Sequence, residues 1–151
     1  MRTFNSITEF AACQGELIGS SDWVTITQDE VNLFADATGD HQWIHVDPER
    51  AAAGPFGTTI AHGYMTLALL PRLMQQIYRL DGLKLAINYG LNKVRFPAPV
   101  PVGSKIRAET SLVEVADVGG GAHQATLSTT VVIDGSTKPA CVAESVVRYL
   151  T

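Results

Sequence analysis

The segment from Ile60 to Tyr78 constrains the fold more than any other part of the sequence. Its apolar residues recur at helical spacing, which predicts one long helix. The first half of this helix is apolar on nearly every side, and a helix of that kind is buried. Pro71 lies inside the pattern and predicts a kink, because its ring displaces the carbonyl four residues earlier. The apolar run is shorter than the roughly 20 residues of a membrane-spanning helix, so no span is expected.

Four stretches after Gly82 alternate apolar and polar residues, which is the pattern of strands with one buried face. These stretches are residues 85–91, 106–112, 125–133 and 141–149. The three glycines at 119–121 mark a turn, and Asp134-Gly135 is a hairpin signal. Connections this short make neighbouring strands antiparallel. The sequence therefore predicts an α+β fold in which the buried helix lies across one face of a mostly antiparallel sheet.

Shorter elements are predicted in the first half of the chain. They are helices over residues 3–14, 28–38 and 48–53, a strand over 23–27 and a loop over 54–57. Thr27 and Glu30 have the spacing of a capping box, and Gly39 stands where the second helix should end. Asp40 to His45 is expected to be irregular, and Thr58 or Thr59 is the expected N-cap of the long helix.

Composition and charge narrow the functional class. The 151 residues fit one domain covering 1–151, and the net charge of −4 comes without any basic run. Nucleic-acid binding and a polybasic membrane surface are therefore not expected. Cys13 and Cys141 match no metal or redox spacing, which favours a reducing, cytoplasmic environment without disulfides. Residues 1–19 show no signal-peptide pattern.

The stretch from Gly39 to Leu70 holds three of the four histidines and a cluster of carboxylates. Asp40 and His45 are five positions apart, which places them about 140° apart on a helix and on opposite faces of a strand. They converge only if the loop between them folds back. In one cavity, a carboxylate and an imidazole can together activate a water molecule. The alternative, which the spacing alone favours, is that Asp40 caps a helix and His45 fills a core position.

Ala61, His62 and Gly63 stand at the start of the predicted long helix. Free backbone N–H groups and the positive end of the helix dipole occur there. A glycine lets a ligand carbonyl approach those N–H groups closely, which would make an oxyanion site. The alternative is that Gly63 only relieves crowding where the helix enters the core.

Histidines and carboxylates in this stretch were also considered as metal ligands. The candidates are His41, His45 and His62 with Asp36, Asp40 or Asp47. Gly39 and Trp43 favour a loop here, rather than a helix that would place His41 and His45 on one face. No metal is therefore predicted.

Two motifs together resemble the MaoC-like, (R)-specific enoyl-CoA hydratase (hydratase 2) family. They are GDHQWIHVDPERAAAGPFGTTIAHGYMTLAL and VRFPAPVPVGSKIRA, and the resemblance extends from about Trp23 to the end. Many members have Asn-Pro where this chain has Gln42 and Trp43, which changes the loop but keeps Asp40 and His45. The resemblance implies a single hotdog domain, an antiparallel sheet wrapped around a long helix. It also implies a homodimer, since the chain is too short for two repeats, and no cofactor.

The resemblance implies a reaction as well. Asp40 and His45 would hold the water that adds to a trans-2-enoyl-CoA, giving an (R)-3-hydroxyacyl-CoA, and the reverse reaction is dehydration. The Gly63 N–H would stabilise negative charge on the thioester carbonyl. The residues assigned to oxyanion or substrate binding are Gly63, His62, Gln42 and Tyr64. The candidates for lining the acyl tunnel are Met65, Leu69, Phe56 and Tyr64.

Three other functions remain open. A dehydratase acting on acyl-carrier-protein substrates would use the same chemistry and would need a basic docking patch. The candidates for that patch are Lys84, Lys93, Arg95, Lys105 and Arg107. A hotdog thioesterase usually carries a carboxylate on its central helix, and residues 60–76 contain neither Asp nor Glu. A non-catalytic acyl-CoA-binding protein is the last alternative, and the intact Asp40 and His45 oppose it.

Overall fold

The computed structural model describes residues 1–151 as eight strands and six helices. The strands are β1 (Arg2–Phe4), β2 (Leu17–Ser20), β3 (Val24–Thr25), β4 (Tyr78–Leu80), β5 (Leu85–Arg95), β6 (Lys105–Gly119), β7 (Ala122–Ile133) and β8 (Cys141–Leu150). The helices are α1 (Ile7–Ala11), α2 (Gln28–Thr38), α3 (Trp43–Val46), α4 (Pro48–Ala52), α5 (Gly63–Ala68) and α6 (Leu70–Ile77). The four long strands β5 to β8 contain the four stretches that were predicted from alternation.

A six-stranded sheet is the framework of the fold. Its strands lie in the order β2, β6, β7, β8, β5, with β3 also paired to β6. Every pair in this sheet is antiparallel, whereas β1 and β4 form a separate parallel pair. Gly119, Gly120 and Gly121 all have positive φ at the turn between β6 and β7, a conformation that glycine adopts without strain. The predicted α+β fold with a mostly antiparallel sheet is confirmed.

The core lies between the sheet and helices α5 and α6. Alternate residues of β7 are buried, namely Ala125, Leu127, Thr129, Val131 and Ile133. The helices contribute Met65, Leu70, Leu73 and Ile77 to the same cluster. Thr110 and Thr129 are polar members of the buried face, and their hydroxyls lie 3.0 Å apart across β6 and β7. This pairing satisfies two hydroxyls that would be costly to bury alone.

The long helix begins at Gly63, three residues later than predicted. Ile60 is held in extended conformation by a bridge to Pro101, and the Ala61 N–H donates to the Val100 carbonyl. These long-range bonds hold Ile60 and Ala61 in extended conformation, although local spacing predicted that both belong to the helix. The predicted caps Thr58 and Thr59 are wrong, because His62 is the N-cap and its side chain makes no capping bond.

Leu69 interrupts the predicted long helix and separates α5 from α6. Pro71 stands in the first turn of α6, where a missing N–H is tolerated. The predicted kink is therefore present as a break two residues before the proline. The helix ends at Ile77 because Tyr78 enters β4. The expectation of burial on every side is wrong for Tyr64, which is 73% exposed.

The first half of the chain follows the predictions in part. α2 has the capping box of Thr27 and Glu30 and ends at Gly39, whose φ is 77°. The helix predicted over residues 3–14 is shorter, because Ser6 caps α1 and the residues before it form β1. The segment predicted as irregular includes one helical turn, α3, closed by the Asp47 N–H donating to the Trp43 carbonyl. None of the six helices has the length and apolar composition needed to cross a bilayer.

Candidate active site

The loop after α2 brings Asp40 to the end of the sheet-covering helices. The left-handed turn at Gly39 redirects the chain, and the Gln42 N–H donates to Asp40 Oδ1 at 3.3 Å. The side chain of Asp40 is about half exposed, at 52%. The fold-back that the sequence required for Asp40 and His45 to converge is therefore made by a glycine turn followed by one short helix.

His45 is fixed by its ring nitrogen and by its main chain. Its Nδ1 lies 2.7 Å from the Ile60 carbonyl oxygen, which can only accept, so Nδ1 carries the proton. The other nitrogen, Nε2, then has a free lone pair. The His45 carbonyl accepts a bond from Gln28 Nε2 at 2.7 Å. Burial of the ring lowers the pKa of His45, so the imidazole is neutral near pH 7 and can act as a base.

His62 lies directly against His45. The two rings stack with centroids 3.8 Å apart and an interplanar angle of 23°. His62 Nε2 is 2.9 Å from the Asp40 backbone carbonyl oxygen and 4.0 Å from Asp40 Oδ2. On its other side the His62 ring contacts Phe34, with centroids 4.9 Å apart. Asp40, His45 and His62 thus form one cluster although they come from two separate segments.

One polar atom from each of these three residues lies within 4.8 Å of the other two. This donor set fits a metal ion poorly, because two nearly parallel rings direct their lone pairs along separate lines. A tetrahedral zinc site needs donors that converge at about 2.0–2.1 Å. The arrangement suits proton transfer better, since a carboxylate oxygen lies within 4.8 Å of a nitrogen of each imidazole ring.

Gly63 opens α5 beside this cluster. Its backbone N–H makes no hydrogen bond within the chain, as expected at a helix N-terminus. A Cβ at this position would lie 3.1 Å from the Phe96 ring, so a larger residue would have to displace that ring by a few tenths of an ångström. Tyr64 projects outward and packs its ring edge-to-face on Phe96 with centroids 6.0 Å apart. Phe96 was not predicted as a site residue, although it stands in the Arg-Phe pair of the second motif.

The remaining candidates direct their side chains away from the cluster or into solvent. Gln42 is exposed at the start of α3 and makes no side-chain capping bond. His41 points away to Asp36 at 2.8 Å, and that carboxylate raises the pKa of His41. Asp47 caps α4 by accepting from the Arg50 N–H. Three of the six residues considered as metal ligands are thus used elsewhere.

An apolar groove of about 660 Å³ runs between helices α5 and α6 and strands β5 and β8. Its lining includes Leu67, Leu70, Met74, Ala86, Val147 and Tyr149. None of the four residues predicted to line an acyl tunnel lies there. Met65 and Leu69 instead face a smaller hollow against α2, while Phe56 and Tyr64 are exposed. A groove of this size is within the range of small-molecule sites.

The five basic residues predicted as one docking patch are divided in the structure. Lys84, Lys93 and Arg95 lie at or beside β5, whereas Lys105 and Arg107 lie on β6. Strands β7 and β8 separate the two groups, so they are about 14 Å apart at ~4.8 Å per strand. Arg107 also pairs with Glu109 at 2.8 Å. A single chain therefore offers two small basic groups instead of one patch.

Comparisons with known proteins agree with one another. A family model described as "MaoC like domain" matches residues 9–133. The 3-hydroxyacyl-thioester dehydratase Z of Mycobacterium tuberculosis (strain CDC 1551 / Oshkosh) is 76% identical over 150 residues, covering 99% of each chain. Nodulation protein N of Rhizobium leguminosarum bv. viciae is 41% identical, covering 91% of this chain and 87% of that relative. The solved (R)-hydratase from A. caviae involved in PHA biosynthesis has a TM-score of 0.71 at 28% identity, covering 87% and 95% of the two chains.

Proposed function

This chain belongs to the MaoC-like dehydratases, hotdog-fold enzymes that hydrate or dehydrate, and we propose that it catalyses the reversible (R)-specific hydration of trans-2-enoyl-CoA. The observation that carries this proposal is the convergence of Asp40, His45 and His62 within 4.8 Å. The relative with 76% identity acts, by its name, on 3-hydroxyacyl thioesters, which are the product side of the same equilibrium.

His45 is the proposed base. Its Nε2 removes a proton from a water molecule held between the imidazole and the Asp40 carboxylate. The water oxygen forms a bond to the β carbon of the enoyl thioester, and the alkene electron pair moves towards the thioester carbonyl. The proton then passes from the imidazolium to the α carbon, so that one water molecule is added in total. General acid–base catalysis of this kind contributes about 100- to 10,000-fold in rate.

Gly63 is the proposed oxyanion donor. Its N–H is free of any bond within the chain and stands beside the histidine cluster at the positive end of α5. A thioester carbonyl bound there would place the β carbon near the water at Asp40 and His45, and the (R) configuration is proposed from the name of the solved (R)-hydratase that this chain resembles. Gln42 and Tyr64 are exposed beside this position and are proposed to contact the pantetheine arm.

The apolar groove is the proposed site of the acyl chain. It begins at Leu67, about one turn of helix after Gly63, and its lining is mainly aliphatic and aromatic. An acyl chain that leaves the carbonyl at Gly63 can follow α5 into this groove. The proposal predicts that substrates with long acyl chains bind better than crotonyl-CoA, because each buried methylene contributes about 0.8 kcal/mol.

We also propose that the enzyme is a homodimer formed through β5. This strand is the edge of the sheet, and Leu85, Ile87 and Leu91 each expose nearly half of their surface on it. A long apolar edge strand promotes association with another chain. Phe96 follows β5 directly and contacts Gly63, so a partner seated on β5 would lie close to the mouth of the active site.

A carrier-protein substrate is the second candidate. The chemistry is identical, and the name of the relative with 76% identity specifies a thioester without naming its carrier. Lys93 and Arg95 would be the docking residues nearest Phe96 and the active site. A kcat/KM for an enoyl-carrier-protein that exceeds the value for the matching enoyl-CoA would favour this candidate.

Asp40→Asn and His45→Gln test the proposed function. We expect each to lower hydration by about 100- to 10,000-fold, measured as the loss of enoyl-thioester absorbance. His41→Gln is the matched control, because His41 neighbours Asp40 but its ring pairs with Asp36. Full activity in Asp40→Asn or His45→Gln would remove that residue from the mechanism.

A further inference from the structure

Two histidine–carbonyl bonds connect the 40–45 segment to the 60–63 segment in a crossed pattern. His45 Nδ1 donates to the Ile60 carbonyl at 2.7 Å, and His62 Nε2 lies 2.9 Å from the Asp40 carbonyl. Each segment thus supplies one ring and one carbonyl to the other. The Ile60 N–H also donates to the Ile44 carbonyl at 3.0 Å. The rings of His45 and His62 stack at the centre of this arrangement.

Neither nitrogen of His62 is free to meet a substrate. The Asp40 carbonyl can only accept, so Nε2 carries a proton and is occupied by that bond. The other nitrogen, Nδ1, is buried without any partner, and the residue as a whole is 3% exposed. The ring lies between Phe34 and His45. This placement differs from the substrate-binding role that the sequence resemblance assigned to His62.

We propose that His62 is a positioning residue, which fixes the main chain of Asp40 through its Nε2–H and supports the His45 ring by stacking. The proposal rests on the proposed function of Asp40 and His45 and adds a third residue that acts only through them. Burying the Nδ1 atom without a partner is energetically costly. An apolar residue would fill the same space without that cost, so the N–H bond to Asp40 is the feature that explains a histidine here.

Asp40 has few other restraints. Its N–H lies 3.4 Å from Thr38 Oγ1, and its carboxylate accepts one bond of 3.3 Å from Gln42. Both bonds are long and come from exposed residues, Thr38 at the end of α2 and Gln42 in the loop after it. Without His62 the Asp40 carboxylate would move relative to His45, and a displacement of about 1 Å can lower a rate about 100-fold.

Two substitutions separate the functions of the His62 side chain. His62→Phe keeps an aromatic ring for stacking but removes the N–H, whereas His62→Gln keeps an N–H donor that can reach the position of Nε2 and removes the ring. We expect His62→Phe to lower kcat about 100-fold with KM within about threefold of wild type. His62→Gln should recover at least tenfold of that loss. His123→Phe is the matched control, since His123 also has a buried Nδ1 without a partner but lies on β7.

The pH profile of kcat supplies a second readout. Asp40 and His62 are the titratable groups facing His45, and the pKa of His45 is lowered first by burial and then by the neighbouring His62. A base is active only when neutral, so activity falls as the pH drops through that pKa. Removing His62 raises the pKa of His45, and the acid limb should move to higher pH in both variants. Such a shift is not expected from a residue that only fills space far from the base.

Three results would overturn the inference. The first is a kcat for His62→Phe within threefold of wild type, and the second is equal loss in His62→Gln and His62→Phe. The third is a loss that appears in KM alone, which would make His62 a substrate contact. Thermal unfolding identifies any variant that fails to fold, and the other variant then decides. If Asp40→Asn and His45→Gln are inactive while His62→Phe is not, this inference alone is wrong and the proposed function stands.

Discussion

The histidine cluster and the β5 edge differ in which kind of side chain they bury and which they expose to solvent. At the cluster, His45 and His62 are polar yet only 6% and 3% exposed, and hydrogen bonds from within the chain hold both rings. At the edge, Leu85 and Ile87 are apolar yet 46% and 47% exposed, and nothing in the chain covers them. Polar rings are thus buried at the cluster because hydrogen bonds satisfy them, whereas apolar side chains at the β5 edge remain exposed to solvent.

The difference indicates which region a single chain can form by itself, the histidine cluster, and which region still exposes surface for a second chain, the β5 edge. Buried polar groups need partners with defined geometry, and the cluster obtains them from segments about 15–22 residues apart in sequence. Apolar surface needs only cover, which a second copy can supply without any change in the first. We therefore expect the catalytic geometry to be a property of the single chain and the acyl groove to be shaped by association.

Among the substitutions that contrast these two regions, Gly63→Ala should produce the largest effect, because it crowds the start of α5 beside the histidine cluster. The added methyl group would lie 3.1 Å from the Phe96 ring, so the ring or the start of α5 must shift by a few tenths of an ångström. We expect such a shift to misplace the Gly63 N–H and to lower kcat about 100-fold, the smaller of the losses that follow removal of an oxyanion donor. Steady-state hydration kinetics on purified, folded protein measure the effect.

The double variant Gly63→Ala, Phe96→Ala is the control for this substitution. It removes the ring that the methyl group would strike, so part of the lost kcat should return. Alanine keeps the backbone N–H, so full activity in Gly63→Ala itself would contradict the expectation that the added methyl group moves this N–H out of its working position.

Sequence patterns predicted which helices and strands form in both regions better than they predicted the boundaries and tertiary positions of those elements. Alternation located β5, but its edge position depends on the pairing of β8 with β7, which no local pattern specifies. Period and capping signals located α2, yet they placed the start of the central helix at Ile60. The bridge from Ile60 to Pro101 joins residues about 40 positions apart, so tertiary contacts determined the boundary.

The proposed catalytic pair, Asp40 and His45, shows the same limit. Spacing alone favoured structural roles for Asp40 and His45, and only the family resemblance suggested that they converge. The structure explains why spacing was insufficient, because the fold-back depends on the left-handed Gly39 and on the long-range bond from His62. Phe96 was missed for a related reason: its contact with Gly63 crosses from the end of β5 to the start of α5.

Ile87→Lys tests the exposed β5 edge and should lower the rate of catalysis less than Gly63→Ala does. Ile87 points away from the groove, since its neighbours Ala86 and Asn88 line it. A charge on the proposed contact face should convert a dimer to a monomer, measured by sedimentation at micromolar concentration. We expect kcat/KM for a long-chain substrate to fall about tenfold and that for crotonyl-CoA to change less.

Val113→Lys is the matched control for Ile87→Lys. Val113 is an apolar strand residue of similar exposure, 45%, but it lies on β6 away from the sheet edge. It should leave the mass unchanged. A wild-type protein that sediments as a monomer would contradict the assignment of β5 as a dimer contact and would remove the contrast between the two regions.

Ser145→Ala should have the smallest effect and sharpens the comparison inside the groove. Ser145 Oγ is buried without a partner in the single chain, whereas the hydroxyls of Thr110 and Thr129 satisfy each other at 3.0 Å. If Ser145 stays unpartnered in the assembled enzyme, its removal should raise the free energy of unfolding by about 1 kcal/mol. Thr129→Val, which leaves Thr110 without its partner, should lower it by about 1–3 kcal/mol. Denaturant unfolding measures both. A loss of stability in Ser145→Ala would mean that the second chain or a bound water gives Ser145 a hydrogen bond, so that the buried hydroxyl in the groove is also satisfied in the assembled enzyme.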